Sequence, residues 1–296
     1  MSANLPNLYA QQFATNIELL LQQKGSRLKG LVTSGSYIGE QASPVDQIDA
    51  IAMQEVTGRF EAMGRVDADT DRRWVLPLDF DLPQLIDSFD KLRLLTDPSS
   101  VYVQNAVNAA GRKMDDVIID ALFGTAKTGK SGSTSTTHTG GGGIQVAVNQ
   151  GASGNTGLTV AKLRKARQVL RAAEVDIEME PITCIVSSIQ EDNLLAEAQV
   201  ISLDFNDRPV LVDGRLKSFL GMNFIHSERL ATDANSYRRV PVFAKSGMHL
   251  GIWNDITTDI SQRKDLKGLP WQSYVYMTVG ATRLEEKKVV EIKCAE

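Results

Sequence analysis

The sequence predicts an α+β fold in which a long helix and many short strands share the chain with an extended, acidic segment. Three observations predict it. Residues 98–123 carry apolar side chains at spacings of three and four, the signature of a helix. Residues 177–296 break into short β-rich runs separated by turn residues. Residues 35–90 sustain no helical period, yet hold too much Val, Ile, Met, Phe and Trp for a disordered tether. The chain of 296 residues and 32.4 kDa is long enough for one large domain or two ordinary ones. Its 42% hydrophobic and 23% charged residues are a normal globular mixture.

In chain order, Leu8, Phe13, Ile17, Leu20 and Leu21 recur near helical spacing, and Gly25 supplies a stop. From Gly35 to about Asp90, β-like pieces such as 48–56 and 73–78 sit among Gly, Pro and Asp. Residues 36–90 hold 12 acidic and 4 basic side chains, a local net charge of −8 in a chain whose total is −4. So long a connection without dense structure is uncommon inside a compact domain. An arm or hairpin that completes its packing on another subunit is therefore expected. Asp97 can then cap a helix that has Pro98 at its first position, where the missing N–H does no harm. Val103, Val107, Ala110, Met114, Val117 and Ala121 form its stripe, and Gly124 ends it. It would span about 39 Å. Ala106, Ala109, Ala110 and Gly111 make its middle slim.

Residues 127–143 have flexible-loop composition, rich in Gly, Ser and Thr, and 144–148 alternate as a short strand. Thr159 can cap a second helix, with Leu158 stapled on Leu163. One face holds Val160, Leu163, Ala166, Leu170 and Ala173. The other faces hold Lys162, Arg164, Lys165, Arg167 and Arg171, expected as a solvated surface. A buried strand is expected over 182–186, and Ser188 with Glu191 suggests a capping box. Further strands are expected over 219–226, 240–244, 250–253, 274–279 and 289–294.

Chemical signals are few. The string Gly124-Thr125-Ala126-Lys127-Thr128-Gly129-Lys130-Ser131 satisfies the phosphate-loop pattern. A working phosphate loop needs a strand entering and a helix leaving, so that backbone N–H groups and the helix dipole hold the phosphates. Here a helix enters and a Gly/Ser/Thr tract leaves. Cys184 lies in an apolar run where nothing lowers its pKa, so a dyad with His226 is disfavoured. Asp67, Asp69 and Asp71 alternate but lack the glycine and terminal glutamate of a calcium loop. Three histidines and two cysteines leave little for a zinc site, and no cofactor is expected. Trp74, Trp253 and Trp271 are scattered, which argues against nucleic-acid stacking. An acidic balance, with a pI near 5.5, argues against nucleic acid as the main ligand. No run approaches the roughly 18 apolar residues of a membrane span. The opening residues lack the pattern of a secretion signal, and two cysteines suggest a reducing cytoplasm.

The order of these parts resembles the major capsid proteins of tailed bacteriophages. So do Tyr9-Ala10-Gln11-Gln12-Phe13, Asp79-Phe80-Asp81-Leu82-Pro83, Leu220-Gly221-Met222-Asn223-Phe224-Ile225, and the closing runs 280–283 and 289–292. The resemblance implies an N-terminal arm at 1–34 and an extended β-hairpin loop at 35–90. A spine helix and peripheral domain would follow at 91–179, an axial domain at 180–265, and C-terminal strands at 266–296 returning to the peripheral domain. It implies a virion shell protein without catalysis, assembled in the host cytoplasm from hexamers and pentamers of itself. A separate scaffolding protein, a portal and a decoration protein are expected partners, with double-stranded DNA touched non-specifically and no membrane. Between Lys29 and Lys91 there is no lysine, so the isopeptide crosslink that some members make from the loop is not expected. The acidic loop predicts its own interface: Glu40, Asp46, Asp49, Glu55 and Glu61 would meet cations of a neighbour, and Arg72 and Arg73 would reciprocate beside Trp74. Alternatives are a nanocompartment shell of the same fold, a phosphate-loop enzyme, and a tail or sheath component.

Overall fold

A computed structural model of the chain describes residues 22–55, 58, 64–86, 99–197, 211–212 and 215–296. The elements are β1 (Thr33–Ser36), β2 (Ala42–Ile48), β3 (Thr70–Val75), β4 (Leu78–Ile86), α1 (Ser99–Phe123), β5 (Ala126–Thr128), β6 (Thr134–Thr136) and β7 (Ile144–Val146). There follow α2 (Val160–Ala172), β8 (Ile182–Val186), α3 (Ser188–Leu195), β9 (Leu211–Val212), β10 (Arg215–Leu216), β11 (Ser218–Phe219) and β12 (Met222–His226). The last strands are β13 (Arg238–Ala244), β14 (Met248–Gln262), β15 (Trp271–Arg283) and β16 (Val289–Cys294). The chain forms two compact units. The smaller comprises Met1–Ser26, Asp79–Arg112 and Asn254–Met277, and the larger Arg27–Leu78, Lys113–Trp253 and Thr278–Glu296.

The larger unit is built on a six-stranded sheet, ordered β11-β12-β8-β13-β16-β7. β12 and β8 are parallel, β13 is antiparallel to both β8 and β16, and β7 runs parallel to β16. All five residues of β8 are buried, which is why its apolar run shows no alternation. Thr159 caps α2 as expected, accepting from Lys162 N. Lys162, expected in solvent, is instead fully buried, and its Nζ donates to Thr156 O, Gly157 O and Lys293 O at 2.7–2.9 Å. Burial lowers its pKa, and the three carbonyls satisfy the ammonium. The lysine therefore ties α2 to the end of β16 instead of facing solvent.

Other expectations move by small steps. The capping box of α3 is Ser187 with Gln190, one residue ahead of the expected pair, and Ser188 N donates to Glu228 Oε1 at 2.7 Å. The expected strand over 219–226 is a hairpin. Leu220 and Gly221 both take positive φ, 54° and 78°, the geometry of a tight reversal between β11 and β12. The piece expected over 48–56 is not a strand within its described residues, 48–55: β2 ends at Ile48 and 49–55 have no regular structure. The opening helix, apart from its stop, and the Asp97–Pro98 cap lie outside the described residues.

α1 ends at Phe123, as its stripe predicts. Its last turns are buried more widely than one face, at Met114, Asp115, Val117, Ile118, Ile119 and Leu122. Asp115 is satisfied there by Arg27 N and Leu28 N at 3.0 and 3.1 Å. In the smaller unit the slim middle of α1 has a use. A Cβ on Gly111 would lie 2.5 Å from the carbonyl carbon of Gly25, and Arg112 Nη1 donates to Gln22 Oε1 at 2.6 Å. Tyr274 and Tyr276 stack on the same face of β15, with ring centroids 5.3 Å apart.

Candidate subunit interface

The acidic segment folds in the larger unit as an antiparallel hairpin of β2 and β3, with Ala42 opposite Val75 and Ile48 opposite Thr70. Strand alternation sends neighbouring side chains to opposite faces, and this sorts the arginines of β3. Arg72 stays outside. It sits opposite Asp46 in register and grips it with two bonds, Nε–Oδ1 at 2.5 Å and Nη2–Oδ2 at 3.0 Å. That bond holds the Asp46 carboxyl below its ordinary range.

Arg73 turns inward and is buried. Its Nη1 and Nη2 donate to the two carboxylate oxygens of Glu286, each at 2.8 Å, and its Nε to Gln47 Oε1 at 3.0 Å. Gln47 Nε2 donates in turn to Leu284 O at 2.7 Å. Glu286 also receives Arg283 Nε at 3.4 Å. Arg283 is fully buried, and its Nη1 donates to Leu122 O and Gly124 O, each at 2.9 Å. A cation thus caps the carbonyl end of α1, where the helix dipole favours it. The chain Arg73–Glu286–Arg283 fixes the hairpin base to the end of the long helix.

Trp74 Nε1 donates to Gly129 O at 2.7 Å, and Gly129 N donates to Asp71 Oδ1 at 2.8 Å. The phosphate-loop string therefore forms no phosphate cradle. It makes the turn of the β5–β6 hairpin, which pairs onto β3, and a carboxylate already holds one of the amides that a phosphate would need. The 127–143 tract, expected as a flexible loop, is ordered by this hairpin and by His138 Nε2, which donates to Val289 O at 2.9 Å.

Beyond the base the hairpin changes character. Ile48 is 72% and Ile51 63% exposed, and Met53 is wholly so. Glu40, Asp49 and Glu55 are exposed around them. Glu61 lies outside the described residues. Of the eight residues predicted from sequence, Asp46 and Arg72 are joined to each other, Arg73 is joined to Glu286, and Trp74 is half-buried against the β5–β6 turn. Sequence reasoning missed Glu286, Arg283 and Gln47, which carry no local signal. The apolar side chains of the acidic stretch, expected to complete their packing on another subunit, stand in solvent in the single chain.

The remaining chemistry is structural. Cys184 lies opposite Phe224 in the sheet, and burial pushes its thiol far up. His226, at the exposed end of β12, lies opposite Val186, two register positions from Cys184, and pairs with Glu228 at 2.9 Å, so Cys184 and His226 form no dyad. Among the described residues no group of three or more His, Cys, Asp or Glu is placed to hold a metal ion. No helix among them is long and apolar enough to cross a membrane.

An extended hairpin locked at its base, a long capped helix and a mixed sheet define a phage capsid fold, and the comparisons agree. The phage capsid protein family matches residues 5–296, and the chain belongs to that family. Similar solved structures include the capsid of cyanophage P-SCSP1u (15% identity, 100% of this chain and 96% of that one, TM-score 0.75). The capsid of cyanophage Pam1 (12%, 98% and 97%, 0.75) and a Mycobacterium phage Che8 protein (13%, 97% and 97%, 0.73) are similar as well. The sequence matches no curated protein. Family membership selects the phage capsid over the nanocompartment and enzyme readings, and makes the chain a structural protein of the virion.

Proposed function

We propose that copies of this chain associate through the hairpin into hexamers and pentamers that close into an icosahedral shell around phage DNA. One observation carries this reading: the hairpin is fixed at its base by buried ion pairs, while Ile48, Ile51 and Met53 stand in solvent. A projecting element that is rigid at its root and apolar toward its tip suits a neighbour's surface. Head-to-tail contacts of this kind close into rings. Summed over several neighbours, the buried area would exceed the roughly 1,600 Å² of an ordinary interface. Glu40, Asp49, Glu55 and Glu61 would meet cations of the neighbour and set register more than affinity.

In this reading residues 1–34 act as an arm, 35–90 as the extended loop, 91–179 as spine and peripheral domain, 180–265 as axial domain and 266–296 as returning strands. Assembly would take place in the host cytoplasm with a separate scaffolding protein, and a portal and decoration protein would complete the head. DNA would be contacted without sequence preference, in keeping with the net charge of −4.

The experiment is electron microscopy of the purified protein, with and without scaffold, for the parent chain and an Ile51→Ser/Met53→Ser variant. With scaffold, the parent should form closed shells. The variant should keep the parent's circular dichroism and remain as subunits. Equal shell yield from the variant would overturn the hairpin's role.

A further inference from the structure

The hairpin has an open edge. β2 is the outer strand of the sheet β2-β3-β5-β6, with β3 on one side of it. Gln47 lies opposite Asp71 and Ile48 opposite Thr70, and Asp49 N donates to Asp69 O at 2.9 Å. Antiparallel strands alternate between bonded and non-bonded pairs. Val45, Gln47 and Asp49 therefore direct their main-chain groups to β3. Asp46 and Ile48 turn theirs outward, where no described residue meets them. Proline, bulges and lysines commonly blunt such an edge. Here Pro44 and the bulge between Ala42 and Val45 blunt one end. At the other end the β-like stretch continues over 49–55, exposed and without a strand partner among the described residues.

This edge is complementary to itself. Two copies related by a two-fold axis can join β2 to β2 antiparallel in registers that set outward residues opposite one another. An axis through Asp46 or Asp49 would oppose like charges, which is destabilising. An axis through Gln47 or Ala50 would set Asp49 against an apolar residue, Val45 or Ile51. An axis through Ile48 sets Ile48 against Ile48, Val45 against Ile51, Gln47 against Asp49 and Asp46 against Ala50. That register alone matches apolar with apolar and leaves no acid facing another. The face with Val45, Gln47 and Asp49 lines a cleft of about 760 Å³, where Val45 is 37% exposed. Lys287 lines the same cleft, exposed and without an ionic partner among the described residues, and can offset the incoming Asp49. Asp46 brings its own counter-ion in Arg72.

We propose that the free edge of β2 is a docking surface for a second copy of this chain, joined strand to strand about Ile48 in the unassembled protein. Ile48 of each copy exchanges main-chain N–H···O bonds with Ile48 of the other, and Asp46 does so with Ala50. Main-chain bonds hold the pair, and the alternate side chains fix its register. A contact of this length falls below the roughly 1,200 Å² of a stable interface, so the pair is reversible. It covers Ile48 and Ile51, which the hairpin also offers to its neighbours in a shell. Pairing therefore competes with assembly, a consequence that rests on the proposed role of the hairpin, whereas the pairing itself does not.

The test is sedimentation velocity of the full-length chain without scaffold, across a concentration series. The parent should pass from monomer to dimer. Ile48→Pro removes only the outward N–H and leaves the ladder with β3 intact. It should keep the parent's circular dichroism and dimerise at least tenfold more weakly, while Ile48→Val should dimerise like the parent. Register is read by disulfide trapping. Val45 and the Ile51 of the second copy form a non-bonded pair with Cα atoms about 4.5 Å apart, within reach of a disulfide. The native Cys184 and Cys294 are buried. Val45→Cys and Ile51→Cys should each stay uncrosslinked alone and give a covalent dimer when mixed. A parent that stays monomeric, or goes directly to larger species, would overturn the pairing, as would parental dimerisation of Ile48→Pro. No covalent dimer in the mixture, or as much from either variant alone, would overturn it too, and this trap decides if the proline variant does not fold. Shells formed with scaffold by a parent that never dimerises would remove the pairing and leave the hairpin's role intact. A dimer that never yields shells would do the reverse.

Discussion

Glu286 accepts from two guanidinium groups while shielded from water, so its charge is held in place by Arg73 and Arg283 together. Removing one member of such a group leaves uncompensated charge buried, which costs more than the group contributes when intact. Glu286→Gln should lower subunit stability by about 3 kcal/mol, read as a shifted urea midpoint. His138 makes a different demand. Its Nε2–H is bonded to Val289 O, Nδ1 is buried without a partner, and burial lowers its pKa, with Arg283 and Arg239 adding to the shift. The unfolded chain therefore binds this proton at a higher pH than the folded one. The stabilisation is complete above the unfolded value of about 6.5 and is lost as pH falls through the folded value. His249 acts in the same direction. The urea midpoint should drop from pH 7.5 to 5.5, and His138→Gln should make that drop smaller. Sequence displayed these charges but not their partners. Arg73 and Glu286 lie 213 residues apart, and no spacing rule reaches so far.

Among elements, α1 shows where local pattern succeeds and where it stops. Its apolar period and Gly124 placed the C-terminus at Phe123, and β8, β13 and β16 were legible from their apolar runs in the same way. What failed was finer. A short, mostly apolar stretch such as 219–226 does not reveal the reversal at Leu220–Gly221 inside it, because the signal is backbone handedness and only one of the two residues is glycine. Nor did basic spacing on α2 reveal that Lys162 would be taken inside by three carbonyls from other segments. Gly111 tests the close passage of backbone over α1. Gly111→Ala gains roughly 1 kcal/mol of helix propensity. It must also displace the Gly25 backbone from 2.5 Å, and overpacking of this kind costs up to about 3 kcal/mol. The variant should melt at a lower temperature than the parent.

At the scale of the whole molecule, family and fold were legible only through the order of parts and a few short strings. No single motif was diagnostic, and the three solved structures named above share 12–15% of residues with this chain. The hairpin was legible as an acidic, strand-like stretch that a compact domain would not leave bare. Its recognition chemistry was not, because register decides which charges are already consumed. With Asp46 and Arg72 closed on each other, the described acids of the predicted interface left for neighbours are Glu40, Asp49 and Glu55. Reversing Glu40, Asp49 and Glu55 to lysine should shift the salt dependence of assembly more than its final yield, read by light scattering from 50 to 500 mM salt, roughly a threefold change in Debye length.

The bare isoleucines and methionine of the hairpin also govern how the protein behaves in a test tube. A solitary copy is adhesive by design, so concentrating it without its natural companions should give amorphous precipitate. Such losses at the bench would reflect a correctly folded chain grasping at whatever lies nearest.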